Sequence, residues 1–366
     1  MVTRIMIMAG GTGGHVFPAL AVAQELQSRG VEVVWMGTHR GIEAQVVPDA
    51  GIPMEWVSIS GLRGKGAVSW LLAPFKLLSA LFQSLVIVMR CRPMAVLGMG
   101  GFVAGPGGLI TWLLRKPLLI HEQNAIAGLT NRLLARLATE TMQAFPGALA
   151  EKTAPLLVGN PVREEIAQLP APAERFAGRS GALRLLVLGG SLGAQSLNRV
   201  VPAAMGEICE TQRPEIWHQA GNQLIDEARD WYCDAAVAAR VEPFIEDMAT
   251  AYGWADLVLC RAGALTISEL SAAGVAALLV PYPYAVDDHQ AHNAAFLVDG
   301  GAARMIRQDA LSAESLGELW RGFYQQYSDS EGVRAHLLEM ATRGRLLAKP
   351  AAAKQVADRC VGVAHA

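Results

Sequence analysis

The sequence has few cysteines, and their spacing excludes two classes of protein. Five cysteines are spread over 366 residues, and no two of them form the C-x-x-C pair that is typical of zinc sites. An odd, dispersed set also argues against a disulfide framework. The apolar run from Ile5 to Ala9 is too short for a signal peptide. We therefore expect a reduced, intracellular chain.

Two common nucleotide-binding motifs are missing as well. No G-x-x-x-x-G-K-[ST] segment occurs, which disfavours a phosphate-loop ATPase. The first glycine turn has Val16 where the G-x-G-x-x-G pattern needs its last glycine, and the next strand ends in Met36 and Gly37 without an acid for a ribose. A NAD-dependent dehydrogenase is disfavoured for that reason. The D-x-D triplet of metal-dependent transferases is missing too, so nothing in the sequence requires a metal or cofactor.

Acidic residues are scarce in one stretch of the first half. Between Gly61 and Arg136 there are nine Lys or Arg and one acid, Glu122, and the rest of the chain carries a net charge of −10. We expect one positive surface there. The apolar runs inside this stretch favour an anionic membrane over a nucleic acid as its partner.

The segment from Trp70 to Met89 is long and apolar enough to span a membrane, with a single charge at Lys76. Lys76 and Pro74 disfavour a span, and the order of elements needs a crossover helix at this point. We expect a crossover helix whose outward residues form an interfacial patch. The residues proposed for the patch are Leu72, Phe75, Phe82 and Trp112. A wholly buried helix is the open alternative.

Short apolar runs alternate with amphipathic stretches along the whole chain. This pattern is typical of parallel sheets with crossover helices. It predicts an α/β protein with two Rossmann-like, doubly wound parallel-sheet domains facing across a cleft, at residues 1–160 and 161–344. A carboxy-terminal helix, at about 345–366, is expected to pack back on the first domain. The predicted strands are Arg4–Ala9, Glu32–Met36, Trp56–Ile59, Ala95–Met99, Leu118–His121, Leu183–Leu188, Glu215–Gln219, Leu257–Cys260 and Ala277–Val280.

A weak internal repeat relates the two halves. TRIMIMAGGTGG and ALRLLVLGGSLG superimpose with an offset of 179, which matches Gly10 with Gly189. Each segment predicts a strand, a glycine turn and a helix, whose first N–H groups can hold an anion. A tight corner without a ligand is the alternative for either turn. His15 is matched by Ala194, so the first turn carries a titratable group that a phosphate site does not need.

Many motifs of the chain, in order, resemble those of the MurG family of undecaprenyl-diphospho-muramoylpentapeptide N-acetylglucosaminyltransferases, which have the GT-B fold. They are GGTGGHVFPALA, SGLRGKG, LGMGG, GPGG, HEQN, GNPVR, GGSLGAQ, FIEDM, RAGALTISE and DDHQAHNA. The resemblance implies an inverting transferase of peptidoglycan synthesis that is peripheral to the cytoplasmic face of the bacterial inner membrane. The first domain would bind the lipid-linked acceptor and the second UDP-N-acetylglucosamine; no nucleic acid, metal or cofactor is expected.

The resemblance also implies roles for individual residues. Glu269 would hold the ribose hydroxyls, although a capping box with Thr266 is an alternative. Arg163 and Ser191 would hold phosphate oxygens, Ile245 would read the uracil through its backbone, and Gln290 would reach the sugar. The full set proposed to bind UDP-N-acetylglucosamine is Thr12, Gly13, Gly14, Asn124, Arg163, Ser191, Ile245, Ala264, Leu265, Thr266, Ile267, Ser268, Glu269 and Gln290.

The general base is predicted from the repeat. His15, at a helix start facing the cleft, is the first choice, with orientation of the acceptor diphosphate as its rival role. Glu122 is the second choice for the base, whereas His121 has a buried structural role as its alternative. Phe102 stands where family members often have Tyr, so no role of a hydroxyl transfers to that position.

Three other functions compete with this interpretation. A UDP-N-acetylglucosamine 2-epimerase would use the same donor without an acceptor. A dehydrogenase would bind nicotinamide, and a sensor would bind a nucleotide sugar without turning it over. Formation of a UDP-linked epimer from the donor alone would distinguish the first of these from a transferase.

Overall fold

A computed structural model describes residues 3–59, 72–190 and 193–365. The chain divides into two compact units, of which unit 1 comprises Met1–Val162 and Lys349–Ala366, and unit 2 comprises Arg163–Ala348. Each unit is built on one sheet, and every strand pairing within the described residues is parallel.

Unit 1 begins with alternating strands and helices. These are β1 (Arg4–Met8), α1 (Gly13–Ser28), β2 (Glu32–Gly37), α2 (Glu43–Asp49), β3 (Met54–Trp56), α3 (Ala73–Cys91), β4 (Ala95–Gly98), α4 (Ala104–Leu113), β5 (Leu118–Glu122), α5 (Leu129–Leu134), β6 (Glu140–Gln143) and β7 (Leu156–Leu157). The described strands form the order β3-β2-β1-β4-β5-β6-β7.

Unit 2 repeats the same scheme. Its elements are α6 (Glu164–Ala167), α7 (Pro172–Phe176), β8 (Arg184–Leu188), α8 (Gln195–Gly206), β9 (Glu215–Gln219), α9 (Ile225–Asp234), β10 (Arg240–Glu242), α10 (Met248–Trp254), β11 (Leu257–Cys260), α11 (Ala264–Ala273), β12 (Ala276–Leu279), α12 (His289–Asp299), β13 (Ala303–Met305), α13 (Ala313–Tyr327) and α14 (Ser330–Leu347). The described strands form the order β10-β9-β8-β11-β12-β13. The chain ends in α15 (Ala352–Ala364), which belongs to unit 1.

The sheet of unit 1 is covered on both faces, as the apolar strands require. Ile5 and Ile7 of β1 face one core with α1 and α15, whereas Met6 and Met8 face a second core with α3 and α4. This alternation follows from the two-residue period of a strand. The predicted doubly wound architecture is therefore confirmed for each domain.

One strand prediction was wrong in its position, and several strands were missed. The third strand is Met54–Trp56 instead of Trp56–Ile59. β6, β7, β10 and β13 escaped detection because they are short, and three of them, β6, β10 and β13, also hold polar or charged residues such as Glu140 and Arg240. These four strands lie toward the outer parts of their sheets.

Helix α3 has two apolar faces, but only one of them packs on the sheet. Ala80, Ile87, Val88 and Cys91 are buried. On the other face Phe75, Leu78, Phe82, Val86 and Met89 are exposed, with Phe75 at 70%. The alternative of a wholly buried helix was therefore wrong. By length and composition alone, this one helix among the described residues could cross a membrane.

Candidate active site

The order of the sheet in unit 1 reverses between β1 and β4, and ligands bind at such switch points in open parallel sheets. The loops after these two strands meet there. A Cβ on Gly101 would lie 2.3 Å from the carbonyl oxygen of Gly10, and one on Gly100 would lie 2.8 Å from the His15 ring. Gly100 and Gly101 also have φ of +95° and +83°, which favours glycine. The GMGG motif thus packs directly against the first glycine turn.

A buried carboxylate, that of Glu43, is hydrogen-bonded to the first glycine turn. Glu43 accepts hydrogen bonds from the N–H of Gly11 (2.9 Å), the N–H of Thr38 (3.1 Å) and the hydroxyl of Thr38 (2.7 Å). A Cβ on Gly10 would lie 2.6 Å from its Oε1. One backbone donor of this turn is therefore already used, which makes it a poorer anion site than its glycines suggest. Thr12, Gly13 and Gly14 form the start of α1 just beyond it.

The second glycine turn lies at the corresponding switch point of unit 2, between β8 and β11. A Cβ on Gly193, whose φ is +78°, would lie 2.2 Å from the carbonyl oxygen of Ala220. A cavity of about 910 Å³ opens here, lined by Gly189, Gly190, Gly193, Ala194, Gln195, Ser196, Arg199, Trp231, Arg261, Tyr282, Gln290 and Gln308. Its size suits a small-molecule ligand. Ser191, predicted to hold a phosphate, lies outside the described residues, as does the SGLRGKG segment.

Arg261 is a cavity residue that the sequence reasoning missed. Its guanidinium donates to the carbonyl oxygens of Val280 and Pro281, to Ser196 Oγ (2.9 Å) and to Gln308 Oε1 (2.5 Å). Burial lowers its pKa from the ordinary value. The feature of the sequence that could have identified Arg261 is its position directly after β11, at the carboxyl end of a strand at the switch point.

Helix α11 begins at Ala264, which excludes the capping-box alternative for Glu269. The N-cap is Gly263, so Glu269 lies in the sixth helical position and cannot form a capping box with Thr266. Ala264, Leu265 and Thr266 form the first turn, whose N–H groups point out of the amino end of the helix. Ile267 is fully buried, and the Ser268 hydroxyl donates to the carbonyl oxygen of Ala264 (3.0 Å).

The carboxylate of Glu269 is buried between a cation and a phenol. Arg163 donates to Oε1 from Nη2 (3.0 Å) and Nε (3.3 Å), and Tyr252 donates its hydroxyl to Oε2 (3.1 Å). Burial raises the pKa of Glu269, while Arg163 and Tyr252 oppose that rise. Arg163 itself is 43% exposed. Two residues that were assigned to separate parts of the donor are thus paired with each other.

Gln290 and Ile245 are both oriented by backbone contacts. Gln290 Oε1 accepts from the N–H groups of Tyr282 (2.9 Å) and Ala262 (3.2 Å), which leaves its amide nitrogen as the outward donor. The N–H of Ile245 donates to Oε1 of Gln219 (3.0 Å). Of the Ile245 backbone that was predicted to read the uracil, the N–H is therefore already paired with Gln219.

His15 lies in the first turn of α1, directly after the first glycine turn. Its Nδ1 is 2.9 Å from Oε1 of Gln123. His121 is fully buried and its Nε2 is 2.9 Å from the carbonyl oxygen of Gly159. Burial lowers the pKa of His121 to about 4. Gln123 joins the two histidines, and it was missed although its place two residues after His121 indicates the same strand face.

Glu122 points to the other face of β5 and organises the following loop. Its carboxylate accepts from the N–H of Asn124 (2.8 Å), the amide of Asn124 (3.3 Å), the N–H of Gly128 (3.2 Å) and the amide of Asn131 (2.9 Å). It is 1% exposed. A carboxylate so fully hydrogen-bonded fits a structural role better than proton transfer. Within the described part of the chain, no group of three or more His, Cys, Asp or Glu is placed to hold a metal.

Comparison with known proteins finds close relatives over the whole chain. The model of the glycosyltransferase family 28 N-terminal domain matches residues 5–143, and that of the C-terminal domain matches residues 184–342. A UDP-N-acetylglucosamine–N-acetylmuramyl-(pentapeptide) pyrophosphoryl-undecaprenol N-acetylglucosamine transferase of Nitrosococcus oceani is 54% identical, over 100% of this chain and 99% of the relative. The transferase of the same name from Marinobacter nauticus is 51% identical, over 99% and 98%.

One solved structure is similar to this chain over almost its whole length. The crystal structure of MurG from Acinetobacter baumannii has a TM-score of 0.85 and 41% sequence identity, and the match covers 98% of this chain and 99% of that one.

Proposed function

Because the chain belongs to the MurG family of N-acetylglucosamine transferases, we propose that it moves N-acetylglucosamine from UDP-N-acetylglucosamine to an undecaprenyl-diphosphate-linked muramoyl-pentapeptide. The chain is a glycosyltransferase. The observation that supports the donor most directly is the cavity at the second glycine turn, which Arg261, Gln290 and the glycines of the turn all line.

The donor would be held by unit 2. The cavity offers backbone N–H groups and cationic side chains, which suit a diphosphate. The first turn of α11 adds further N–H groups at a helix amino end, where the dipole favours negative charge. The buried Glu269 carboxylate can accept from two ribose hydroxyls once Arg163 turns toward a phosphate. Ligand binding would thus exchange the Arg163–Glu269 pair for two contacts with UDP.

The acceptor would be activated by unit 1. His15 is the half-buried titratable group at the switch point. The carboxylate of Glu122 is instead hydrogen-bonded to the loop and helix that follow β5. Attack of the acceptor hydroxyl on the anomeric carbon forms the new C–O bond as the bond to UDP breaks. The electron pair of that bond leaves with UDP, and the hydroxyl proton passes to His15. One displacement of this kind inverts the anomeric centre.

We further propose that no metal is needed, since preorganised N–H groups and cations can stabilise the departing diphosphate. The charge that develops on UDP would be met by the α11 amino end, Arg163 and Arg261. This is tested by measuring the rate of sugar transfer in the presence of a metal chelator. An unchanged rate supports the proposal. A loss of activity that a divalent cation restores overturns it.

The exposed apolar face of α3 supports docking on an anionic membrane surface. Phe75, Leu78 and Phe82 are 63–70% exposed on one face, and Trp112 and Leu113 at the end of α4, which packs on α3, are exposed too. Lys76, Arg115, Arg132 and Arg136 add exposed positive charge in the same unit. A lipid-linked acceptor would be met at the cytoplasmic face of the inner membrane, with the protein bound peripherally.

The function is tested by incubating the protein with labelled UDP-N-acetylglucosamine, with and without the lipid-linked muramoyl acceptor. The proposal expects label in the lipid fraction only when the acceptor is present. A UDP-linked epimer formed from the donor alone would instead show the 2-epimerase activity, which the relatives' names do not favour.

A further inference from the structure

A chain of hydrogen bonds links His15 to the backbone of the GNPVR segment. His15 Nδ1 contacts Gln123 Oε1 (2.9 Å), and Gln123 Nε2 contacts His121 Nδ1 (3.2 Å). His121 Nε2 then contacts the carbonyl oxygen of Gly159 (2.9 Å). We call His15, Gln123, His121 and Gly159 the histidine relay. All four residues belong to unit 1.

The position of each proton in the histidine relay can be deduced by starting from the buried contact between His121 and the carbonyl oxygen of Gly159. A carbonyl oxygen only accepts, so Nε2 of His121 must carry the proton that it donates to Gly159. The neutral His121 ring then has an unprotonated Nδ1, which accepts from the Gln123 amide nitrogen. The same amide nitrogen donates to the carbonyl oxygen of His121 (3.1 Å), which fixes the orientation of the Gln123 amide independently of the ring.

The neutral state of His121 is supported by its surroundings. The side chain is fully buried, and burial lowers its pKa to about 4. A charged ring would place two N–H donors against the Gln123 amide nitrogen and the Gly159 carbonyl, so one contact would be lost. At neutral pH the relay therefore has one consistent arrangement of protons.

With the amide orientation fixed, Gln123 presents only an oxygen to His15. Since that oxygen can only accept, Nδ1 of His15 must carry the proton, and Nε2 is the nitrogen with the lone pair. Within the described residues no hydrogen bond to His15 Nε2 is present. The ring has little freedom to turn, because Gly100 packs against its Cε1 and Nδ1 edge, where a Cβ would come within 2.8 Å.

Further backbone contacts hold the relay in place. Asn160 Nδ2 donates to the carbonyl oxygen of Gln123 (3.0 Å), and Asn131 Nδ2 donates to the carbonyl oxygen of His121 (3.1 Å). Gln123 itself is 1% exposed. Gln123 and His121 are thus both buried and each is held by a further contact, as expected for residues that orient a catalytic group.

We propose that Gln123 and His121 are positioning residues that hold His15 as the Nδ1-protonated tautomer, so that its Nε2 accepts the proton of the acceptor hydroxyl. This inference rests on the proposed transferase function. When Nε2 takes the proton, the hydroxyl oxygen forms its bond to the anomeric carbon and UDP leaves with the electron pair. The resulting imidazolium keeps its Nδ1–H bond to Gln123 and later releases the Nε2 proton to solvent.

The tautomer can be measured without any turnover. Long-range ¹⁵N–¹H correlation spectra of histidine-labelled protein, at about pH 8 where histidine is ordinarily neutral, distinguish protonated from unprotonated ring nitrogens. A His15→Ala spectrum identifies the His15 signals among those of the eight histidines. We expect a protonated Nδ1 and an unprotonated Nε2. A wild-type His15 with its proton on Nε2 overturns the proposal.

The positioning role is tested with Gln123→Met, which keeps the volume of the side chain and removes the acceptor. Gln27→Met, at an exposed position of α1, is the matched control. We expect a mixture of His15 tautomers in Gln123→Met. Its kcat should be about one tenth of the wild-type value or smaller, and its KM for the donor should be unchanged. Wild-type tautomer and kcat in a folded Gln123→Met overturn the proposal.

Sugar transfer and the His15 tautomer are measured separately, so the proposed function and the histidine relay can be refuted independently. A wild-type protein that shows the predicted tautomer but transfers no sugar to the lipid acceptor refutes the proposed function and leaves the arrangement of protons standing. A protein that transfers the sugar with His15 in the other tautomer refutes the relay alone.

Discussion

The buried carboxylate of Glu43 distinguishes the surroundings of the first glycine turn from those of the second. Glu43 accepts from the N–H of Gly11 in the first turn, whereas the second turn lines a cavity that Arg261 lines as well. A second buried carboxylate, that of Glu269, lies in the second turn of α11 and has Arg163 as its partner. The side chains that lie near the two similar glycine patterns thus differ in charge.

Residue types at strand ends indicated part of this arrangement in advance. His15 was predicted from its contrast with Ala194, and Glu269 from its motif. Gln123, Glu43 and Gln219 were not predicted, because each acts through a contact with a residue distant in sequence or through the backbone. Such pairings depend on how the loops pack, and the spacing of the motifs does not contain that information.

Replacing His15 with alanine should lower kcat by roughly 10²- to 10⁴-fold, the range typical of a positioned general base. UDP affinity should change little, because the cavity residues lie in unit 2. Steady-state kinetics and calorimetric titration with UDP check both parts. His365→Ala, at an exposed position of unit 1, is the control. A normal kcat for His15→Ala would remove this residue from the mechanism.

Replacing Glu269 with alanine should weaken UDP binding about 10- to 100-fold, since a hydrogen bond to a charged group contributes about 1.5–3 kcal/mol. Titration with UDP measures the effect. Glu318→Ala, on the exposed side of α13, should bind UDP like the wild type. Equal affinity in both variants would show that Glu269 serves only to pair with Arg163 and Tyr252.

At the scale of elements, the apolar strands were easier to predict than the polar ones. β1, β4, β8 and β11 hold apolar residues on both faces, and their positions were predicted to within a residue or two. Edge strands such as β10 have polar residues that also fit a loop. Helix α3 and the outward position of Phe75 and Phe82 were predicted, whereas the exposure of Leu78, Val86 and Met89 was not.

The exposed face of α3 should determine membrane binding. The double variant Phe75→Ser/Phe82→Ser should bind less to vesicles that contain an anionic lipid, because each side chain loses most of its apolar contact with the interface. Sedimentation with vesicles, at low and high salt, measures this, and wild-type binding should weaken with salt. Leu346→Ser removes an exposed leucine of unit 2 as a control. Equal binding by all three proteins would exclude this surface.

At the scale of the whole molecule, each unit contains a buried neutral histidine. His218 contacts Tyr232 Oη (2.8 Å) and Asn198 Oδ1 (3.1 Å), and burial lowers its pKa to about 3. In the unfolded chain a histidine takes up a proton near pH 6.5, while the folded chain resists it until about pH 3. The buried neutral His218 therefore contributes fully to the free energy of unfolding above pH 6.5, and this contribution is lost as the pH falls toward 3.

The variant His218→Gln should accordingly show a flatter pH dependence of stability. Between pH 7 and 5 the wild type should lose about 2 kcal/mol more of its free energy of unfolding than the variant does. Urea unfolding at both pH values measures the difference, and His121, present in both proteins, cancels from the comparison. Parallel losses in the two proteins would mean that His218 is protonated in the folded state.

The two-domain architecture was predictable because it follows from repeated features of composition and hydrophobic period. The family was predictable because its motifs are many and ordered along the chain. What the sequence left open was which side chains pair in each half of the site. The Arg163–Glu269 pair and the histidine relay are the clearest examples, since each joins residues that separate motifs supply.

The central claim is a single inverting transfer of N-acetylglucosamine to a lipid-linked muramoyl acceptor. It is tested most directly by isolating the lipid product formed from labelled UDP-N-acetylglucosamine and determining its new linkage by NMR. The account predicts one added N-acetylglucosamine, β-linked, and formed only when the acceptor is present. An α-linked product, or label recovered only as a UDP-linked epimer or free sugar, would contradict it.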